Sequence, residues 1–172
     1  VEFAGQRVDG DIGFFTVLPE QKMVHYQRRN GVFAIHDPAS LDWPSLFKVP
    51  NPWLHLTGIT PMVSAQAHKS WEGALTTAAS SSIPISLDLN HRKQLGPLEQ
   101  LWGYVRPHAS KLDLLILSVD QLNGLAKIET GKDPSFTGET EDKAFLDTMA
   151  GLQIDWGCQK VSICRKVRDD KG

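Results

Sequence analysis

Three apolar runs begin near residues 53, 83 and 112, and this spacing constrains the fold more than any other feature of the chain. Residues 53–57, 83–89 and 112–117 are almost continuous in apolar and β-branched side chains, with Asp113 the one charge in the third run. Continuous runs, unlike alternating ones, belong to strands covered on both faces and so to a parallel sheet. Parallel neighbours need a crossover, and one β-α-β unit takes about 30 residues. The crossovers are legible too. Val63, Ala67, Trp71, Ala74, Leu75 and Ala78 recur at spacings of three and four, which predicts one helix over residues 62–79. Further helices are expected over residues 97–105, from Asp120, and around residues 142–149, with Lys160–Cys164 as a fourth strand. The polar stretch 130–141, with its glycines and proline, reads as a surface insertion.

Ahead of this core, residues 12–18 and 22–28 read as two strands joined through Pro19-Glu20-Gln21. The second alternates Met23, His25 and Gln27 against Val24, Tyr26 and Arg28, the pattern of a ribbon with two unlike faces. Asn30-Gly31 marks a turn, and Asp37-Pro38-Ala39-Ser40 prepares a short helix through Trp43 and Phe47. The expected architecture is α/β, one domain over residues 1–172, with a hairpin at 10–30 and an α/β core at 50–166.

A net charge of −2 offers no long-range attraction to nucleic acid or to an anionic membrane. The basic clusters Arg28-Arg29 and Arg165-Lys166 with Arg168 are brief and read as solvated. No apolar run is long enough to span a bilayer, and the first residues do not form a signal peptide. Cys158 and Cys164 lack Cys-x-x-Cys spacing, which suits a reducing compartment, cytoplasm or organelle stroma or matrix, rather than secretion. The six histidines show no zinc-ligand spacing; His55 reads as a strand-packing residue and His91 as a loop donor.

In open parallel sheets ligands bind beyond the carboxyl ends of the strands. Here those ends are Thr57-Gly58-Ile59-Thr60, Asp88-Leu89-Asn90-His91-Arg92 and Ser118-Val119-Asp120-Gln121. Asp88, Asn90 and Arg92 alternate, so on an extended chain end they project the same way. Asp88 and Asn90 can orient water, hydroxyls or hydrated Mg²⁺, and Arg92 can grip a carboxylate or phosphate through its planar fork. The alternative is a strand-to-helix loop whose Asp and Asn cap backbone amides.

Asp88-x-Asn90-x-Arg92 after an apolar strand resembles the D-x-N-x-R segment of PfkB (ribokinase-like) carbohydrate kinases. Thr57-Gly58-Ile59 resembles that family's SGI at the preceding strand end. Val24-His25-Tyr26-Gln27-Arg28 is similar to the lid strand of 2-keto-3-deoxygluconate kinases, which carries YYR. Order and spacing agree over residues 10–128. The resemblance implies a ribokinase-like three-layer α/β/α parallel sheet with a small hairpin lid, incomplete in this chain. It implies a sugar or sugar-acid substrate held by Tyr26, Arg28, Asn90 and Arg92, with Asp88, Ser118 and Gln121 on the phosphate and nucleotide side. ATP and Mg²⁺ would be the cofactors of the complete domain.

The departures shape the expectation as much. Gln121 stands where the family's N-x-x-E places a Glu, and it lacks the charge that attracts a hard cation. The Gly-Ala-Gly-Asp motif, which supplies the family's anion hole and general base, does not occur in the 172 residues. No catalytic residue is therefore assigned, and the segment alone is expected to be inactive. The alternative function is a non-catalytic kinase-derived scaffold or a subunit of a larger assembly. Expected partners are a small sugar substrate, and either a second copy through the lid hairpin or another chain at an unpaired sheet edge.

Overall fold

The computed structural model describes residues 9–21, 23–134 and 143–164. The hairpin is present: β1 (Phe14–Leu18) pairs antiparallel with β2 (Met23–Gln27), setting Phe15 opposite Tyr26. It is shorter than the sequence reading at its open end, because Gly13 and Gly31 meet there. A Cβ on Gly31 would lie 2.8 Å from the Gly13 nitrogen, and Val32 N donates to the Asp11 carbonyl at 2.7 Å. Two short helices follow, α1 (Val32–Ile35) and α2 (Trp43–Leu46), the latter capped by Asp42 and started by Pro44.

The core is a four-stranded parallel sheet in the order β3-β4-β5-β6: β3 (Leu54–Thr57), β4 (Ile85–Asp88), β5 (Leu114–Ser118) and β6 (Lys160–Cys164). Each strand lies beside its predecessor in the chain, joined through helices as the 30-residue spacing predicts. Ile85, Ser86 and Leu87 of β4 are exposed by only 0%, 4% and 0%. Successive strand residues face opposite ways, so this central strand is covered on both sides. Asp113, which interrupts the apolar run before β5, accepts a hydrogen bond from the Ile85 amide at 2.8 Å. It thereby satisfies the first donor of β4.

The helices differ from expectation at two places. The stripe over residues 62–79 is divided into α3 (Thr60–Val63) and α4 (Ala65–Ser80). The break is at Ser64, which is extended, caps Ala67 N through its hydroxyl oxygen and donates its proton to the Ala34 carbonyl. One residue thus ends one helix, starts the next and ties both to α1. α5 (Leu98–Val105) and α6 (Val119–Thr130) lie where predicted, but α7 (Lys143–Trp156) runs well past residue 149. Phe145, Leu152 and Trp156 bury that helix in the core, where Trp156 meets Trp102 edge-on at 4.8 Å between centroids. Most of the 130–141 insertion, and the Arg165-Lys166-Arg168 cluster, lie outside the described residues. Among those described, no helix is long and apolar enough to cross a membrane.

Candidate functional site

Arg28 follows β2 directly and is held at the hairpin base, since a Cβ on Gly13 would approach the Arg28 Cα to 3.5 Å. Its guanidinium lies over the Tyr26 ring, 4.1 Å from the centroid. That face-on contact leaves the edge of the fork, with its N–H donors, for another partner. Arg92 comes from the other side, on the loop after β4. That loop is pinned at two points: Leu95 N donates to the Arg92 carbonyl at 2.9 Å, and His91 Nε2 contacts the Gly96 carbonyl at 2.9 Å. His91, read from sequence as a loop donor, thus bridges the loop itself. The two arginines, with Tyr26 and Gln94, line one cavity of about 340 Å³, within the range of small-molecule sites. Among the described residues neither arginine has a carboxylate within ion-pair distance.

Arg28 also borders a second cavity of about 640 Å³, whose lining includes the polar His55, Thr57 and Asn90 and the apolar Phe15 and Phe33. Asn90 reaches it because its backbone is left-handed, with φ 43°. Asp88 Oδ1 accepts from Asn90 N at 3.0 Å, and Asn90 Nδ2 donates to Thr57 Oγ1 at 3.3 Å. This corrects the expectation that Asp88, Asn90 and Arg92 project together. The turn closed by Asp88 rotates the chain, so Asp88 faces its own loop, Asn90 the second cavity and Arg92 the first.

At the end of β5 the side chains are spent on the helix start. Ser118 Oγ accepts from Gln121 N at 3.2 Å, and Gln121 Oε1 accepts from Ser118 N at 2.8 Å, a reciprocal capping box for α6. Both residues therefore sit at the strand end but point into the cap. Among the described residues no group of three or more His, Cys, Asp or Glu side chains can hold a metal ion. Asp88 Oδ1 is engaged by Asn90 N and Gln121 is uncharged, so the described strand ends bring no cluster of charged ligands to one point. Sequence reasoning missed His55 and Phe33 as cavity residues, because both reach the cavity only through the sheet register and the fold of α1.

No family model matches the chain. Comparison with solved structures does find likenesses. The 2-dehydro-3-deoxygluconokinase of Thermotoga maritima matches with a TM-score of 0.70 and 22% identity, over 92% of this chain and 46% of that one. A PfkB protein from a Polaromonas species matches with a TM-score of 0.64 and 19% identity, over 90% and 47%. Fructokinase from Xylella fastidiosa, solved with bound ATP, matches with a TM-score of 0.63 and 16% identity, over 91% and 44%. The described chain thus spans a little under half the length of these proteins. Its parallel sheet, its antiparallel hairpin and their order along the chain are the ribokinase-like fold of carbohydrate kinases, present here in part.

Proposed function

We propose that these residues are the sugar-binding part of an ATP-dependent carbohydrate kinase acting on a keto-deoxy sugar acid or a related sugar. The observation that carries the reading is that Arg28 and Arg92, from separate elements, line one cavity without carboxylate partners among the described residues. Two unpaired cations held close together repel each other, and an anion between them relieves that repulsion. A sugar acid supplies such an anion in its carboxylate. Each charge-assisted bond contributes about 1.5–3 kcal/mol. Tyr26 steadies the Arg28 fork, and Asn90 orients a substrate hydroxyl from the neighbouring cavity. The phosphate donor would approach beside the β5 end, where Ser118, Gln121 and Asp88 lie. ATP and Mg²⁺ belong to this reading only for a complete kinase, whose general base must come from outside these 172 residues.

The test is calorimetric titration of the chain with 2-keto-3-deoxygluconate. Arg28→Ala and Arg92→Ala should each weaken binding at least about tenfold, one lost charged bond. No heat from the unaltered chain, or variants that bind as it does, would overturn the proposal. With ATP and Mg²⁺ added, ADP release should stay at background. A second reading, a kinase-derived scaffold without sugar binding, is favoured by the capping box that occupies Ser118 and Gln121. The same titration separates the two.

A further inference from the structure

We infer that His55 is a hydrogen-bond donor of fixed tautomer, serving as a specificity-determining contact for the molecule in the second cavity. The ligand side of this inference rests on the sugar-binding reading above; the tautomer side does not.

Ser86 sets the protonation of the ring. It is 4% exposed and stands opposite His55 in the β3–β4 register. Its Oγ lies 2.9 Å from Trp53 Nε1 and 2.8 Å from His55 Nδ1. An indole nitrogen only donates, so Trp53 takes up one of the oxygen's lone pairs. The hydroxyl proton still needs an acceptor, and among the described residues the Ser86 hydroxyl has no partner beyond these two. If Nδ1 were protonated it too would donate to Oγ, and the buried hydroxyl proton would be left unpaired. Nδ1 is therefore the acceptor, and the neutral ring carries its proton on Nε2. His55 is exposed and lines the cavity, so that N–H is offered to whatever occupies it.

Thr57 is set in the same sense. Its Oγ1 accepts from Ile59 N and from Asn90 Nδ2, each at 3.3 Å, which uses both lone pairs and leaves its proton to donate. With Arg28, the wall presents an N–H, an O–H and a guanidinium. Such a wall takes acceptor oxygens, the keto and hydroxyl oxygens of a sugar acid, and disfavours amines. Phe15 and Phe33, which line the same cavity, suit the carbon backbone of that molecule.

The test uses the full chain with isotope-labelled histidine nitrogens, read by NMR at about pH 8. Without ligand, His55 should show a bare Nδ1 and a protonated Nε2; a protonated Nδ1 overturns the inference. Ser86→Ala should release the ring into a mixture of tautomers, and an unchanged single tautomer would likewise overturn it. Adding 2-keto-3-deoxygluconate should shift the Nε2 signal, and His55→Phe should weaken binding about tenfold, one lost hydrogen bond. Equal binding by His55→Phe and the unaltered chain overturns the contact. If the unaltered chain binds no sugar acid, the reading of the site falls and takes the contact with it. The tautomer, read without any ligand, tells that failure apart from failure of the Ser86 relay.

Discussion

Gly58→Ala and Gly103→Ala add the same methyl group and should move stability in opposite directions. A Cβ on Gly58 would stand 2.1 Å from the Leu89 carbonyl oxygen and 3.1 Å from Leu101 Cδ2. The oxygen belongs to backbone that cannot yield cheaply. Gly58 N donates to the Asp88 carbonyl at 2.9 Å, and Leu89 N donates to the Ile116 carbonyl at 3.0 Å, so the ends of three strands are tied together. Restoring an ordinary contact means parting β3 from β4 by about 1 Å or more, since carbon contacts are comfortable only near ~3.5 Å. Overpacking typically costs ~1–3 kcal/mol, and a backbone clash places this site at the upper end. For a chain of this size ~3 kcal/mol lowers Tm by about 6–12 °C. Around Gly103, inside α5, nothing lies within 4 Å of the added carbon. There alanine should stabilise by ~0.5–1 kcal/mol through helix propensity alone. Urea unfolding of both variants, with m held equal, measures the difference. The reasoning is refuted if Gly58→Ala stays within ~0.5 kcal/mol of the unaltered chain, the range of an ordinary surface substitution. It is equally refuted if Gly103→Ala is as damaging as Gly58→Ala.

Three further outcomes are expected. Ser118→Ala removes half of the α6 capping box and should cost ~1 kcal/mol in urea unfolding, with no cost arguing that the box is idle. Burial, with Lys111 nearby, lowers the pKa of His108 from 6.5 despite the opposing Glu72. The unfolded chain then binds the extra proton first, so this stability is complete above about pH 6.5 and is lost as pH falls through the depressed folded value. His108→Gln should flatten that part of the pH–stability profile, and an unaltered profile would count against it. Cys158 donates to the Ala109 carbonyl at 3.1 Å, and burial pushes its thiol up to about 11, whereas Cys164 is exposed. A thiol reagent at about pH 8 should label one cysteine in the folded chain and both in denaturant; rapid labelling of both would contradict the packing around Cys158.

The core was legible because burial on two faces leaves a mark on composition. Ile85 and Leu87 announce β4 without any knowledge of its neighbours. The break at Ser64 was not, because Ser64 sits within an unbroken helical stripe and its decisive partner is the carbonyl of Ala34. α7 was read short for a related reason: its stripe of Phe145, Leu152 and Trp156 is sparse, and only the contact with Trp102 shows how far it extends. At the site, Arg92 was readable as an anion-binding side chain from its own segment and Arg28 only through the family resemblance, and their common cavity depends on where the hairpin folds back. The D-x-N-x-R segment misled in one respect. Asparagine tolerates left-handed backbone, and at Asn90 that single rotation sends its neighbours to different walls. His55 carried no local signal at all, because its meaning lies in being level with Ser86 one strand away.

The close approach of Gly13 and Gly31 at the foot of the hairpin fixes where its arm begins. β2 runs four residue steps from Gln27 out to Met23, a lever of roughly 14 Å at about 3.4 Å per residue. Arg28 sits at the short end of that lever, beside Gly13. Tyr26, whose ring lies under the Arg28 guanidinium, belongs to that same arm, so the place of the charge and the place of the ribbon are set together.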